Sequence, residues 1–189
     1  SAALVSADLG RLAILNDFDA NIDARVERLS IRDMVVERLH VDTTLVGGKL
    51  TLHEASVGAI AGVTARISGE VDGIAKSPTT ALAFAASSRD VEKLGRVAGV
   101  GLRLPRGAKR TVAVNGQLNG GLSDLTVKAT VYLLGAKVGL DGKFKDFVVD
   151  PAYDIGLTLD FPDLADAMRL VAPDYKPAAT NLGPLAISL

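Results

Sequence analysis

The sequence predicts a mainly β protein, an antiparallel meander sheet of about ten strands with two short capping helices. Apolar and polar residues alternate with a period of two along most of the chain, which is typical of strands with one dry and one wet face. Glycine, aspartate and asparagine separate these runs, as expected for turns. Hydrophobic residues make up 48% of the 189 residues but aromatic residues only 4%, so the apolar side of such a sheet is aliphatic.

The alternation is clearest at residues 17–27, where odd positions are polar and even positions such as Phe18 and Ile22 are apolar. It returns at residues 39–45 and 50–52. Gly47-Gly48 between these two runs predicts a tight hairpin, because glycine accepts a positive φ. Further strands are predicted at residues 63–71, 81–86, 111–118, 125–131, 136–144, 153–159 and 185–189.

Two segments have helical spacing instead. Residues 88–99 begin with Ser88 or Arg89 near the N-cap, end at Gly99, and line up one apolar face: Val91, Leu94, Val97 and Ala98. Residues 162–172 begin with Pro162, stop before Pro173, and carry a second such face: Leu164, Ala167, Met168 and Val171. Because each segment follows a strand, we expect two helices that cap the sheet and pack these faces into the core.

A shift of 73 residues aligns the chain with itself. It superposes Gly47-Gly48 on Gly120-Gly121 and Gly62 on Gly135, together with Pro78 on Pro151 and Asp90 on Asp163. Residues that punctuate strands therefore repeat. We predict a single β domain over residues 1–189, built from two units, about 17–100 and about 101–189, that continue one sheet edge to edge.

Composition argues against several classes of site. With 21 basic and 22 acidic residues the net charge is -1, so no long-range field is available to hold nucleic acid. Cysteine is absent, which excludes disulfides and Cys-based metal sites. The longest apolar runs, residues 81–86 and 129–136, are too short to span a bilayer, so this stretch is expected to be soluble. It starts at Ser1 without a secretion leader, and we interpret it as an excised or processed piece.

Two charged motifs have plainer interpretations than ligand binding. A calcium loop is imitated by four side chains, Asp17, Asp19, Asn21 and Asp23. However, Ile22 and Arg28 stand where that loop requires glycine and glutamate, so we predict a solvated strand face. Four cations, Arg103, Arg106, Lys109 and Arg110, have no aromatic residues between them and so offer no stacking platform for bases. They predict an ordinary solvated loop, with a contact to anionic headgroups as the alternative.

No catalytic motif is recognisable. The sequence contains no Gly-x-Ser-x-Gly elbow, no phosphate-cradling loop and no dinucleotide-binding glycine pattern. Asp160, Asp163 and Asp166 lie at a strand end and a helix start, where carboxylates complement the helix dipole. His40 and His53 are predicted beside the Gly47-Gly48 turn as solvated or hydrogen-bonded residues, because two imidazoles without a third ligand seldom bind metal. We expect no enzyme, and we assign no catalytic residue, metal, cofactor or specific lipid-binding residue.

Several segments, taken in order, resemble the repeat of the AsmA family. They are residues 24–31 (ARVERLSI), 36–42 (VERLHVD), 45–52 (LVGGKLTL) and 65–73 (ARISGEVDG). Residues 157–171, which include Phe161-Pro162-Asp163, and 182–185 (LGPL) are similar to that family's C-terminal part. The resemblance covers nearly the whole chain and depends on the order of these segments, since each consists of alternation and turn residues.

This resemblance implies the periplasmic portion of a bacterial envelope protein whose parent chain is anchored in the inner membrane by one N-terminal helix. It also implies a curved sheet with an apolar concave side. The family is associated with outer-membrane biogenesis and with phospholipid movement between membranes. The implied partners are a phospholipid or another acyl-chain ligand and further repeats of the same parent chain.

An aliphatic sheet of this size has more apolar surface than two short helices can cover. Aliphatic walls suit acyl chains. Together with the phospholipid movement between membranes that the resemblance implies, this leads us to expect a non-catalytic module that presents an apolar groove to phospholipid chains. The alternative is a structural spacer or protein-interaction module with a sealed core, no ligand and open edges that pair with further repeats. A hydrolase of envelope glycans is a third hypothesis, and it requires converging carboxylates about 5–10 Å apart.

Overall fold

The described part of the chain forms one open antiparallel sheet. The computed structural model describes residues 19–31, 34–60, 62–74, 77–93, 110–121, 123–133, 135–146, 152–162, 168 and 183–188. Its strands are β1 (Ala20–Ile31), β2 (Met34–Val46), β3 (Lys49–Ile60), β4 (Val63–Asp72), β5 (Thr79–Ser88), β6 (Val112–Gly121), β7 (Asp124–Leu133), β8 (Ala136–Lys145), β9 (Ala152–Phe161) and β10 (Leu185–Ser188). They lie side by side in chain order, and each pairs antiparallel with the next. The predicted fold, a mainly β curved meander of about ten strands, is confirmed.

Strand register divides the sheet into two chemically different faces. Residues directly opposite each other on antiparallel strands point to the same side, and successive residues alternate sides. One side of the sheet is called the apolar face. In β4 it carries Val63, Ala65, Ile67, Gly69 and Val71, and in every other strand it carries the residues that the pairings place opposite these. The polar face is the other side. Following the pairings, the apolar face runs without interruption from β1 to β10.

The hairpin between β2 and β3 is the predicted Gly47-Gly48 turn. Val46 pairs with Lys49, so the loop has two residues, and their φ values are +55° and +78°. This is the turn type whose twist matches the flanking strands and which requires positive φ at both positions. The prediction of a tight hairpin at these two glycines is confirmed.

Local irregularities in β2 and β3 keep the aliphatic side chains of these long strands on the apolar face. In β3, residues 53 and 54 together stand opposite Ser68, and a second shift lies between Val57 and Ile60. In β2, Val36 and Leu39 both face the apolar side, although residues three apart in a regular strand face opposite sides. Arg38, which lies between them, has a φ of +51°. A regular period of two would place part of each strand's aliphatic side chains on the polar face.

The offset of 73 residues recurs in the strand bounds. The bounds of β4 and β5, shifted by 73, are those of β8 and β9, and the first residue of β6 shifts onto the first residue of β10. The pairing recurs as well, since Ser88 opposite Val112 corresponds to Phe161 opposite Leu185. The division into two units, about 17–100 and about 101–189, stays a prediction. One equivalence drawn from the sequence is wrong: Gly47-Gly48 form a turn, whereas Gly120 and Gly121 end β6, because the shifts in β3 add residues that β7 lacks.

The first predicted helix begins later than expected. Ser88 ends β5, and within the predicted range 88–99 the described helical residues are 91–93. The N-cap is Asp90, whose Oδ1 accepts a hydrogen bond from the Lys93 backbone N–H at 2.8 Å, rather than Ser88 or Arg89. Val91 is buried, as its place on the predicted apolar helix face requires. Residues 94–99 lie outside the described part, and of the second predicted helix, residues 162–172, only the helical Met168 and the bend at Pro162 are described.

Candidate ligand-binding face

The apolar face is a broad aliphatic surface. Ten strands spaced about 4.8 Å apart make it about 43 Å wide, and a ten-residue strand is about 33 Å long. Five positions of each ten-residue strand face this side, and from β7 to β9 they carry mainly Val, Leu, Ile and Ala. This surface is large enough to contact an acyl chain in any direction along the sheet.

Side chains on this face retain contact with solvent. The most exposed aliphatic ones are Ile22 at 50%, Ile155 at 42%, Ile187 at 40% and Leu157 at 38%. Among the described residues no side chain is fully buried, and every strand packs against its neighbours within one sheet. An antiparallel sheet ordinarily covers its dry face with a second layer. Within the described ranges no second sheet supplies that layer.

Four residues on the apolar face carry a hydroxyl group: Thr43, Thr80, Ser88 and Tyr153. The Tyr153 side chain lies at one end of β9 and is 73% exposed, whereas the other three hydroxyls are bonded within the protein. Thr43 Oγ1 donates to the Thr51 carbonyl at 3.0 Å, and Thr80 Oγ1 donates to the Gly120 carbonyl at 3.0 Å. Ser88 Oγ accepts a hydrogen bond from the Asp90 backbone N–H at 3.2 Å. A bonded hydroxyl can be covered by an apolar ligand without the penalty of an unpaired polar group. These three positions therefore do not interrupt the face chemically.

The polar face is held together by pairs of side chains across neighbouring strands. Lys128 Nζ lies 3.0 Å from Asp141 on β8, and Arg28 lies 3.2 Å from Glu37 on β2. The Thr64 and Ser87 hydroxyls lie 2.9 Å apart in the same relation. Such cross-strand pairs stabilise a sheet modestly and keep its outer surface hydrated. This face is suited to water rather than to an apolar ligand.

One polar-face pair alters a pKa. Lys49 Nζ lies 2.8 Å from a Glu70 carboxylate oxygen, and both side chains are nearly half exposed. The hydrogen bond that the Lys49 ammonium donates to Glu70, followed by the negative charges of Glu70 and Asp72, raises the pKa of Lys49 above its ordinary value. The ammonium is therefore stabilised in the folded state, as expected of a structural ion pair at a surface.

Depressions in the described part of the surface lie on the polar face. One of about 460 Å³ is lined by Arg66, His53 and Gln117 above a floor that includes Ala83 and Ala85. Two others, of about 550 and 340 Å³, share Asn115 with it. They form where small residues lie between longer polar ones, and they are open to solvent. In the described residues these depressions lie opposite the continuous apolar face, and the expected apolar groove for phospholipid chains stays a prediction.

The side chains that imitate a calcium loop are used in contacts between strands. Asp19 Oδ1 accepts the Gly47 backbone N–H at 3.2 Å, and Asn21 accepts a hydrogen bond from Thr44. Asp23 lies 3.0 Å from Arg25 and 3.1 Å from the His40 ring. These contacts spread along β1 and β2 instead of converging on one point. Asp17 lies outside the described residues.

The two histidines do not meet. His40 bonds Asp23, whereas His53 Nε2 lies 3.2 Å from the Thr44 hydroxyl. His53 is one of the two residues opposite Ser68, so the irregularity in β3 sets its position. Within the described ranges no group of three His, Asp or Glu side chains is arranged to hold a metal ion.

The remaining predicted charges are only partly described. Arg110 is exposed, its carbonyl accepts the Val91 N–H at 2.9 Å, and its guanidinium lies 3.8 Å from Glu92. Arg103, Arg106, Lys109, Asp163 and Asp166 lie outside the described residues. Asp160 stands on the polar face of β9, opposite Lys137 and Ala186. Sequence patterns alone did not single out the opposite-charge pairs of the polar face, because they depend on register.

Comparisons with known proteins add no further assignment. No protein-family model matches the chain, and no curated protein or solved structure matches it significantly. The resemblance to the AsmA family stays a prediction that depends on the order of the segments in the sequence. None of the helices in the described part is long and apolar enough to cross a membrane.

Proposed function

We propose that this protein is a non-catalytic module that shields the acyl chains of phospholipids on its apolar face. The observation that carries the proposal is the unbroken apolar face over ten strands, with exposed aliphatic side chains at both ends of the sheet and internally bonded hydroxyls between them. Each methylene of a ligand that leaves water for such a surface contributes about 0.8 kcal/mol when fully buried. Partial cover of one acyl chain is therefore enough for useful binding.

The cellular setting follows from the family resemblance. An AsmA-like module would act in the periplasm, as part of a parent chain anchored in the inner membrane, and would contribute to outer-membrane biogenesis by carrying phospholipid between the two membranes. The sheet suits this task because its strands stack in a single row, so further repeats of the parent chain would lengthen the apolar face without reorganising it.

The proposal is tested by purifying the 189-residue chain from a host that contains membranes. Native mass spectrometry and solvent extraction would measure bound phospholipid, and a fluorescent fatty acid would measure uptake by the delipidated protein. We expect lipid to copurify and the probe to be displaced by phospholipid. A protein that is reproducibly lipid-free and takes up no acyl probe would contradict the proposal.

The second candidate is a structural spacer or protein-interaction module with no ligand. It is favoured by the two edges of the sheet, since β1 and the greater part of β9 pair on one side only among the described residues. In that case the apolar face would be sealed by protein, and the chain would stay lipid-free while it still assembled with neighbouring strands.

A further inference from the structure

We draw no further inference here: the strongest candidate, the depression of about 460 Å³ on the polar face where Arg66 and Gln117 flank Ala83 and Ala85, is open to solvent between exposed side chains, and nothing in the described residues shows what occupies it.

Discussion

Single residues determine how closely the strands approach one another and which polar groups the apolar face exposes. Gly69 is the clearest case: its φ is +134°, and a Cβ built on it would lie 2.1 Å from the Ala81 carbonyl oxygen on β5. Thr43 and Thr80 show the second effect, since each hydroxyl bonds a backbone carbonyl instead of facing an apolar ligand. Small residues and locally bonded hydroxyls therefore preserve an aliphatic surface at positions where the alternation is imperfect.

Gly69→Ala should destabilise the protein by about 2 kcal/mol or more, because the added methyl clashes with the backbone of β5 and the φ is unfavourable for an L residue. The measurement is the midpoint of urea unfolding. Gly156→Ala is the matched control: its nearest contact is an ordinary 3.8 Å to the Asp141 carbonyl, and we expect a change below about 0.5 kcal/mol. Equal losses in the two variants would refute the strand-approach argument.

The Lys49 pKa predicts a defined pH dependence. Because pairing with Glu70 raises this pKa in the folded state, the pair stabilises the protein below the ordinary lysine pKa of about 10.4, and the contribution disappears as pH rises through the folded value. In Glu70→Gln, the titration midpoint of Lys49, followed by NMR of its Hε protons, should move down towards the ordinary value. A midpoint that does not move would show that Glu70 is not the cause.

The position of each strand depends more on the phase of its apolar–polar alternation than on the β-propensity of its residues. From the sequence, the strands with a strict period of two, such as 63–71 and 136–144, could be placed within a residue of their observed ends. The irregularities of β3 could not, because residues 53–60 mix Glu, Ala, Ser and Gly, and two phases fit this pattern equally well until β2 and β4 select one. For the same reason the sequence could indicate an apolar face but not assign its residues near Arg38.

Deletion of single residues tests this phase argument. His53 is an extra residue relative to both neighbours, since Leu52 and Glu54 stand opposite the consecutive Thr43 and Asp42 of β2. Its deletion should regularise β3 and change stability by about 1 kcal/mol or less. Deletion of Thr130 from the regular strand β7 should cost about 3 kcal/mol or more, because Val131 and Leu133 then turn to the polar face. Circular dichroism and thermal unfolding would check both, and similar losses would count against the phase argument.

At the scale of the whole molecule, the sheet combines a self-sufficient polar face with an apolar face that its described residues do not cover. The polar face needs no partner, because pairs such as Lys128 with Asp141 form between its own strands. The apolar face must be covered to avoid water, and an acyl chain or a second protein layer would each do so. Aspartates placed on the apolar face distinguish these two kinds of cover.

The double variant Val127→Asp/Val131→Asp puts two charges on the apolar face of β7, and Thr126→Asp/Thr130→Asp puts them on the polar face of the same strand. Both pairs replace half-buried β-branched residues. If lipid covers the face, the Val variant should remain folded without lipid, because its carboxylates stay hydrated, yet bind at least tenfold less fatty acid than the Thr variant. If protein seals the face, the Val variant should fail to fold, as judged by the loss of cooperative thermal unfolding.

The most direct measurement of the central claim is where a bound acyl chain lies on the sheet. A fatty acid carrying a nitroxide would be added to protein with labelled methyl groups, and the loss of NMR signal compared between the two faces. We predict strong broadening at Val131, Leu140 and Leu157 on the apolar face, and little at Ala83 and Ala85, which line the depression on the polar face. Broadening centred on those two alanines, or none at any methyl, would contradict the account.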